Sequence, residues 1–146
     1  MNEAFSIGQV AEKTGLSIHT IRYYEKEGIL PFIKRNESGL RIFEFEDIQW
    51  INLINCLRST GMPIAQLKDY ADLTLQGDQT GDKRLEILEK QKEKIEEQVN
   101  TLKSYIDLLN LQMEWYPRLK KENVPFDHAM KAWLKDGKLP PEDNEL

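Results

Sequence analysis

Ser17-Ile18-His19-Thr20-Ile21-Arg22-Tyr23-Tyr24-Glu25-Lys26-Glu27-Gly28 is the stretch on which the reading of the whole chain turns. A serine at its start can accept an amide of the first helical turn, and Gly28 stands where a helix C-cap belongs. The residues between them form one short capped helix. At about 100° per residue, Ile18, Ile21, Tyr24 and Glu25 share one side, and His19, Arg22, Tyr23 and Lys26 share the other. An amphipathic helix of this kind is commonly just a surface helix with a half-buried edge. Its outer side is, however, cationic, aromatic and hydrogen-bonding. That combination suits a DNA groove, where cations meet phosphates and polar side chains reach phosphates or base edges.

The flanks separate these two readings. Upstream, Ser6-Ile7-Gly8-Gln9 fits a capping box, and Ile7, Val10 and Ala11 recur at helical spacing until Thr14-Gly15. A short helix, a tight Thr14-Gly15-Leu16 turn and a second capped helix make a helix-turn-helix, with the second as recognition helix. Thr20 joins the outward residues as a candidate DNA contact. Downstream, Ile29-Leu30-Pro31 stops the helix. Two β-prone runs, Phe32-Ile33-Lys34-Arg35 and Leu40-Arg41-Ile42-Phe43, then flank the loop Asn36-Glu37-Ser38-Gly39. The resulting hairpin is either an exposed charged loop or a wing that places Lys34, Arg35 and Arg41 at phosphates.

From Asp47 to Thr60, residues Ile48, Trp50, Ile51, Leu53, Ile54 and Leu57 give a third helix with a broad apolar face. Gly61-Met62-Pro63 breaks it. Ile64, Leu67, Tyr70, Ala71 and Leu75 outline a fourth helix that ends near Gly77, and the polar run to Gly81 reads as a connecting loop. Beyond it, Lys83 to Tyr116 contains neither glycine nor proline. Leu85, Leu88, Ile95, Val99, Leu102, Ile106, Leu109, Met113 and Tyr116 keep a heptad seam in which Lys92 is the one charged interruption. A lysine there can lay its stem along the stripe and keep its ammonium in water. At 1.5 Å per residue such a helix is about 50 Å long, with no partner of similar length in its own chain. The seam predicts a homodimer in which Leu88, Ile95, Val99, Leu102, Ile106, Leu109 and Met113 meet a second copy; the alternative is packing along the chain's own N-terminal domain.

The expected fold class is therefore mostly α: a winged helix-turn-helix DNA-binding domain over residues 1–77, a linker over 78–81, a coiled-coil dimerisation helix over 82–116 and a short C-terminal tail over 117–146. In the tail, Phe126, Met130 and Trp133 suggest one more short helix received by Trp115 and Tyr116, while Gly137 onward is Pro- and acid-rich and reads as frayed.

Composition narrows the function. A formal charge of −5 over 146 residues excludes indiscriminate polyanion binding as the whole role. Lys13, Arg22, Lys26, Lys34, Arg35 and Arg41 are balanced by Glu3, Glu12, Glu25, Glu27, Glu37 and Glu44, so the basic signal lies in arrangement. A single cysteine excludes an internal disulfide framework, and no signal-like or membrane-spanning run is present. The expectation is a cytoplasmic protein without membrane association. No nucleophile with a base, phosphate loop, paired carboxylates or metal cluster points to an enzyme, a cofactor or a metal. A coiled-coil adaptor for other proteins would explain the acidity and the heptads, but not the outer basic faces of recognition helix and wing.

Ile7-Gly8-Gln9-Val10-Ala11, then Thr20 to Leu30 with Pro31, then Arg41-Ile42-Phe43 and Asp47-Ile48, resemble the MerR family of bacterial transcription regulators. The likeness runs residue by residue from about 5 to 75 and by architecture along the long helix. It implies a winged helix-turn-helix on an antiparallel coiled-coil dimer that binds a near-palindromic operator in double-stranded promoter DNA. It also implies control of transcription, together with RNA polymerase, by bending and untwisting the promoter spacer. Arg22 and Tyr23 would then contact DNA, Arg41 would contact backbone from the wing, and His19 is a candidate for reading sequence. The wing of the family usually carries tyrosine where Leu40 and Phe43 stand here.

The same resemblance bears on the signal. Metal-sensing members use cysteines near the end of the long helix, and none stands there, which argues against soft-metal sensing. Multidrug-sensing members carry a large appended domain that a thirty-residue tail does not supply. Cys56-Leu57-Arg58-Ser59-Thr60-Gly61-Met62 resembles the cysteine segment of the thiol-based, aldehyde- or electrophile-responsive branch, and Cys56 falls opposite the apolar face of its helix, with Arg58 nearby to favour a thiolate. Inert packing of Cys56, or a small effector at the dimer interface, are the alternatives.

Overall fold

The computed structural model describes residues 3–123 and 125–136. Two compact units divide the chain, one reaching Glu96 and the other starting at Glu97. The first unit opens with α1 (Ile7–Thr14) and α2 (Ile18–Lys26). The capping box of α1 is complete: the Gln9 amide donates to Ser6 Oγ, and the Ser6 amide donates back to Gln9 Oε1. Ser17 caps α2 by accepting the Thr20 amide at 3.1 Å. At the far end Gly28 adopts φ +78, which lets its amide reach the Glu25 carbonyl and the Ile29 amide reach the Tyr24 carbonyl. This paired closure needs a left-handed residue after the helix, where glycine alone avoids a Cβ penalty.

The wing consists of β1 (Lys34–Arg35) and β2 (Arg41–Ile42), antiparallel, with Lys34 opposite Ile42 and Arg35 opposite Arg41. Asn36 shapes the loop between them, its Oδ1 accepting the amides of Ser38 and Leu40. Phe5 extends the ladder by a bridge to Phe43, each amide bonding the other's carbonyl. The wing is thereby tied to the chain just ahead of α1.

Helix α3 (Phe45–Ser59) starts two residues before the expected Asp47, because Asp47 is itself part of a cap: its Oδ2 accepts the Glu44 amide at 2.8 Å. Ile48, Ile51, Ile54 and Leu57 are buried along α3, and Leu67, Tyr70 and Ala71 along α4 (Ile64–Leu75). The core joins Val10, Ile21, Tyr24, Ile29, Leu30 and Phe43 to these helices. Trp50 braces its edge, donating to the Ile29 carbonyl at 2.9 Å, stacking on Tyr70 and receiving Phe32 edge-on.

Two expected boundaries shift. The 78–81 linker is a short 3-10 turn (Asp78–Thr80) leading straight into α5 (Gly81–Glu122). The first compact unit also extends past residue 77, because Ile87 and Leu88 pack on the apolar core and Gln91 is buried. Leu88, expected in the dimer seam, therefore faces the core of its own unit. At its other end α5 passes through Pro117 instead of stopping at Tyr116. Proline removes one amide donor, but the helix-favouring residues after it carry on to Glu122, and the stop comes at Asn123, which adopts φ +55.

In the second unit α6 (Phe126–Asp136) lies against the end of α5. Trp115 is fully buried and meets Trp133 edge-on, while Tyr116 stacks on Phe126 at 5.8 Å. The expected short helix around Phe126, Met130 and Trp133 is thus present. The segment from Gly137, read as frayed, lies outside the described residues.

Candidate nucleic-acid interface

Periodicity and burial agree on which face of α2 is free. Ile21 and Tyr24 are buried, whereas His19, Arg22, Tyr23 and Lys26 are exposed. Ile18, assigned to the inner side, is partly exposed at the helix start, where the core no longer covers it. Thr20 is half-buried, and its hydroxyl shares a hydrogen bond with Ser17 Oγ at 2.9 Å, so it belongs to the cap before it belongs to a DNA surface. Burial pushes the Tyr24 phenol up from its ordinary range, against the opposing field of Arg58, and its ring leans on Tyr23. Tyr24 thus stays protonated and holds the helix down while Tyr23 faces outward. Burial likewise raises the Asp47 carboxyl, although the Glu44 amide works against this.

The wing cations are arranged differently from expectation. Arg35 and Arg41 both pair with Glu25 of the recognition helix: Arg35 Nη2 reaches Glu25 Oε1 at 3.2 Å, and Arg41 Nε bonds Glu25 Oε2. Arg35 also donates to the Gly39 carbonyl at 2.8 Å. Lys34 leans toward Glu44 at 3.7 Å. Among the described residues, Arg22, Lys26 and His19 form no ion pair. The carboxylate of Glu25, half-buried, therefore holds the wing against α2 at two points. Sequence periodicity placed Glu25 on the inner side but gave it no role, since its partners lie 10 and 16 residues away and meet it only in the folded unit.

A cleft of about 280 Å³ opens where the three elements meet, lined by Ser6 at the start of α1, Arg22 from α2, and Arg35, Leu40 and Arg41 from the wing. Arg22, Arg35 and Arg41 bring three guanidinium groups to this concavity, the last two already paired with Glu25. Leu40 is exposed at the wing tip and offers apolar contact only. Phe43 is fully buried, so position 43 serves the core here and has no hydroxyl or exposure with which to touch DNA.

Cys56 is exposed on α3, as its position on the helix implies. The Arg58 guanidinium reaches the Met62 carbonyl at 3.5 Å. The Cys56 carbonyl, rather than its thiol, is engaged, by the Thr60 hydroxyl.

A recognition helix with an outward cationic face, a preceding helix-turn and a wing locked beside it define a winged helix-turn-helix DNA-binding protein. The chain belongs to the MerR family of transcriptional regulators: residues 5–74 match the MerR HTH family regulatory protein model, and residues 48–110 match the MerR DNA-binding model. An uncharacterized HTH-type transcriptional regulator of Haemophilus influenzae is 40% identical over 116 residues, covering 80% of this chain and 86% of the relative. AdhR of Bacillus subtilis is 41% identical over 90 residues, covering 62% of this chain and 64% of AdhR. Among solved structures, HiNmlR, a MerR family regulator lacking the sensor domain and bound to promoter DNA, is 39% identical with a TM-score of 0.75, covering 82% of this chain and 94% of that one. These relatives are regulators, not enzymes. No helix among the described residues is long and apolar enough to cross a membrane.

Proposed function

We propose that this chain acts in the cytoplasm as a homodimer that binds a near-palindromic promoter operator, each copy laying α2 in the major groove and its wing on the flanking backbone. Bound there with RNA polymerase, it controls transcription by distorting the promoter spacer. The arginine-lined cleft between α1, α2 and the wing carries this reading. Likeness to HiNmlR, whose structure holds promoter DNA, supports it.

The second copy enters because α5 leaves an apolar stripe in water: Val99, Leu102, Ile106, Leu109 and Met113 are 43–67% exposed. Ile95 begins this stripe half-buried. An exposed seam of this length marks an interaction site. Leu88 is partly buried against its own core, and the residues from Ile95 onward supply the exposed part of the coiled-coil seam.

Cys56 is the proposed point of signal entry. Its thiol would add to an aldehyde carbonyl, forming a carbon–sulfur bond while the thiol proton passes to the carbonyl oxygen. Exposure of the thiol and the 41% identity with AdhR support this step. Cys56→Ser is expected to keep operator affinity within about twofold, since α3 does not carry the groove contacts, and to lose the transcriptional response to aldehydes. An undiminished response would move the sensor elsewhere.

A further inference from the structure

Gln91 sits in the first part of α5 and is 3% exposed, close to Ile87 and Leu88, which pack on the apolar core. A buried amide requires partners, and its Nε2 donates to Thr60 Oγ1 at 2.7 Å across 31 residues of sequence. Thr60 is the C-cap of α3. Its hydroxyl passes the bond on, donating to the carbonyls of Cys56 at 2.8 Å and Leu57 at 3.2 Å. The polarities agree along these bonds: amide hydrogen to hydroxyl lone pair, hydroxyl hydrogen to the carbonyls of the last turn of α3.

A second polar anchor lies at the start of the same helix, where Arg84 donates to Thr80 Oγ1 and to the Gly77 carbonyl, and Thr80 Oγ1 donates to the Leu73 carbonyl at 2.6 Å. That anchor is local to the turn joining α4 to α5. Thr60–Gln91 instead joins α5 to α3. The apolar contacts of Ile87 and Leu88 hold α5 to the core but are non-directional, and tolerate sliding and rotation. A hydrogen bond of 2.7 Å does not.

We propose that the Thr60–Gln91 pair sets the rotational and axial register of α5 on the DNA-binding unit, and thereby the half-site spacing that the dimer accepts. The inference rests on the dimeric operator reading above. α5 is a single helix, Gly81–Glu122, so under this proposal a slip at Gln91 would change which residues meet the partner copy. The spacing between the two recognition helices then ceases to be single-valued.

The test measures binding of the full chain to operator duplexes whose half-sites are moved apart or together by one base pair. Wild type is expected to lose roughly tenfold or more in affinity per step, and Gln91→Leu and Thr60→Val to reduce that penalty to within about threefold. Thr60→Ser keeps the hydroxyl and should keep the discrimination, which a merely structural role for the methyl group would not. Where a single variant fails to fold, the double variant Thr60→Val with Gln91→Leu removes both polar ends and leaves neither unsatisfied; it should show the same flattened response. Discrimination at the wild-type level in either the folded Gln91→Leu chain or the double variant overturns the proposal. A wild-type chain that sediments on the operator as a monomer, or is indifferent to spacing, overturns the dimeric reading beneath it.

Discussion

At the scale of single residues, the outward-facing set of α2 was legible because periodicity alone sorts a nine-residue helix into faces. Arg22, Tyr23 and Lys26 are exposed where a 100° step puts them. Arg22→Ala is expected to weaken operator binding by about 1–3 kcal/mol, roughly ten- to a hundredfold, with an unchanged melting curve; gel-shift titration beside circular dichroism checks both halves. The Glu25 bridge to Arg35 and Arg41 was not legible, since nothing local says that a glutamate on the inner edge of α2 will meet cations from a hairpin. Its consequence differs from that of Arg22. Glu25→Gln leaves two guanidinium groups without their counter-charge and frees the wing from α2. Affinity for random duplex at low salt should then rise while the preference for operator falls. Competitive anisotropy reports the ratio, and an unaltered ratio would mean that the carboxylate does not position the wing.

Element boundaries followed their caps wherever the capping residues were local. Ser6 with Gln9, Ser17, and Gly28 each stand where the sequence put a helix end. Pro117 misled, because the helix continues through it despite the lost amide and the crowding of its ring, and Asn123 at φ +55 supplies the actual stop. The Phe5–Phe43 bridge was missed as well, since a single pair of residues carries no periodicity. The two glycines Gly28 and Gly8 make opposite predictions from the same substitution. A Cβ at Gly28 would meet Lys68 Cε at 3.7 Å, an ordinary contact, so Gly28→Ala is limited by φ +78 and should cost about 1 kcal/mol. Gly8 lies within α1 and its Cβ would meet only Ser6 Oγ at 3.8 Å, so Gly8→Ala should stabilise by up to about 1 kcal/mol. Thermal melts of the two variants should move in opposite directions.

For the whole molecule, the sequence separated a DNA-binding half from a long helix but put the border at residue 77, whereas the compact unit runs to Glu96. Heptad counting registers apolar residues and not what they face, so Leu88 entered the seam although its own core claims it. Past Ile95 the stripe is exposed, and a charge placed within it should separate the copies. Ile106→Glu is expected to sediment as a monomer and to lose most operator affinity, while its α1–α4 core melts as in wild type. The most direct measurement is selection of binding sites from a pool of random duplexes by the purified chain, followed by sedimentation of the selected complex. Two inverted half-sites at one fixed separation, held by two chains per duplex and lost with Arg22→Ala, are expected. A selected site without two-fold symmetry, a complex with a single chain, or selection that survives Arg22→Ala would contradict recognition by paired copies of α2.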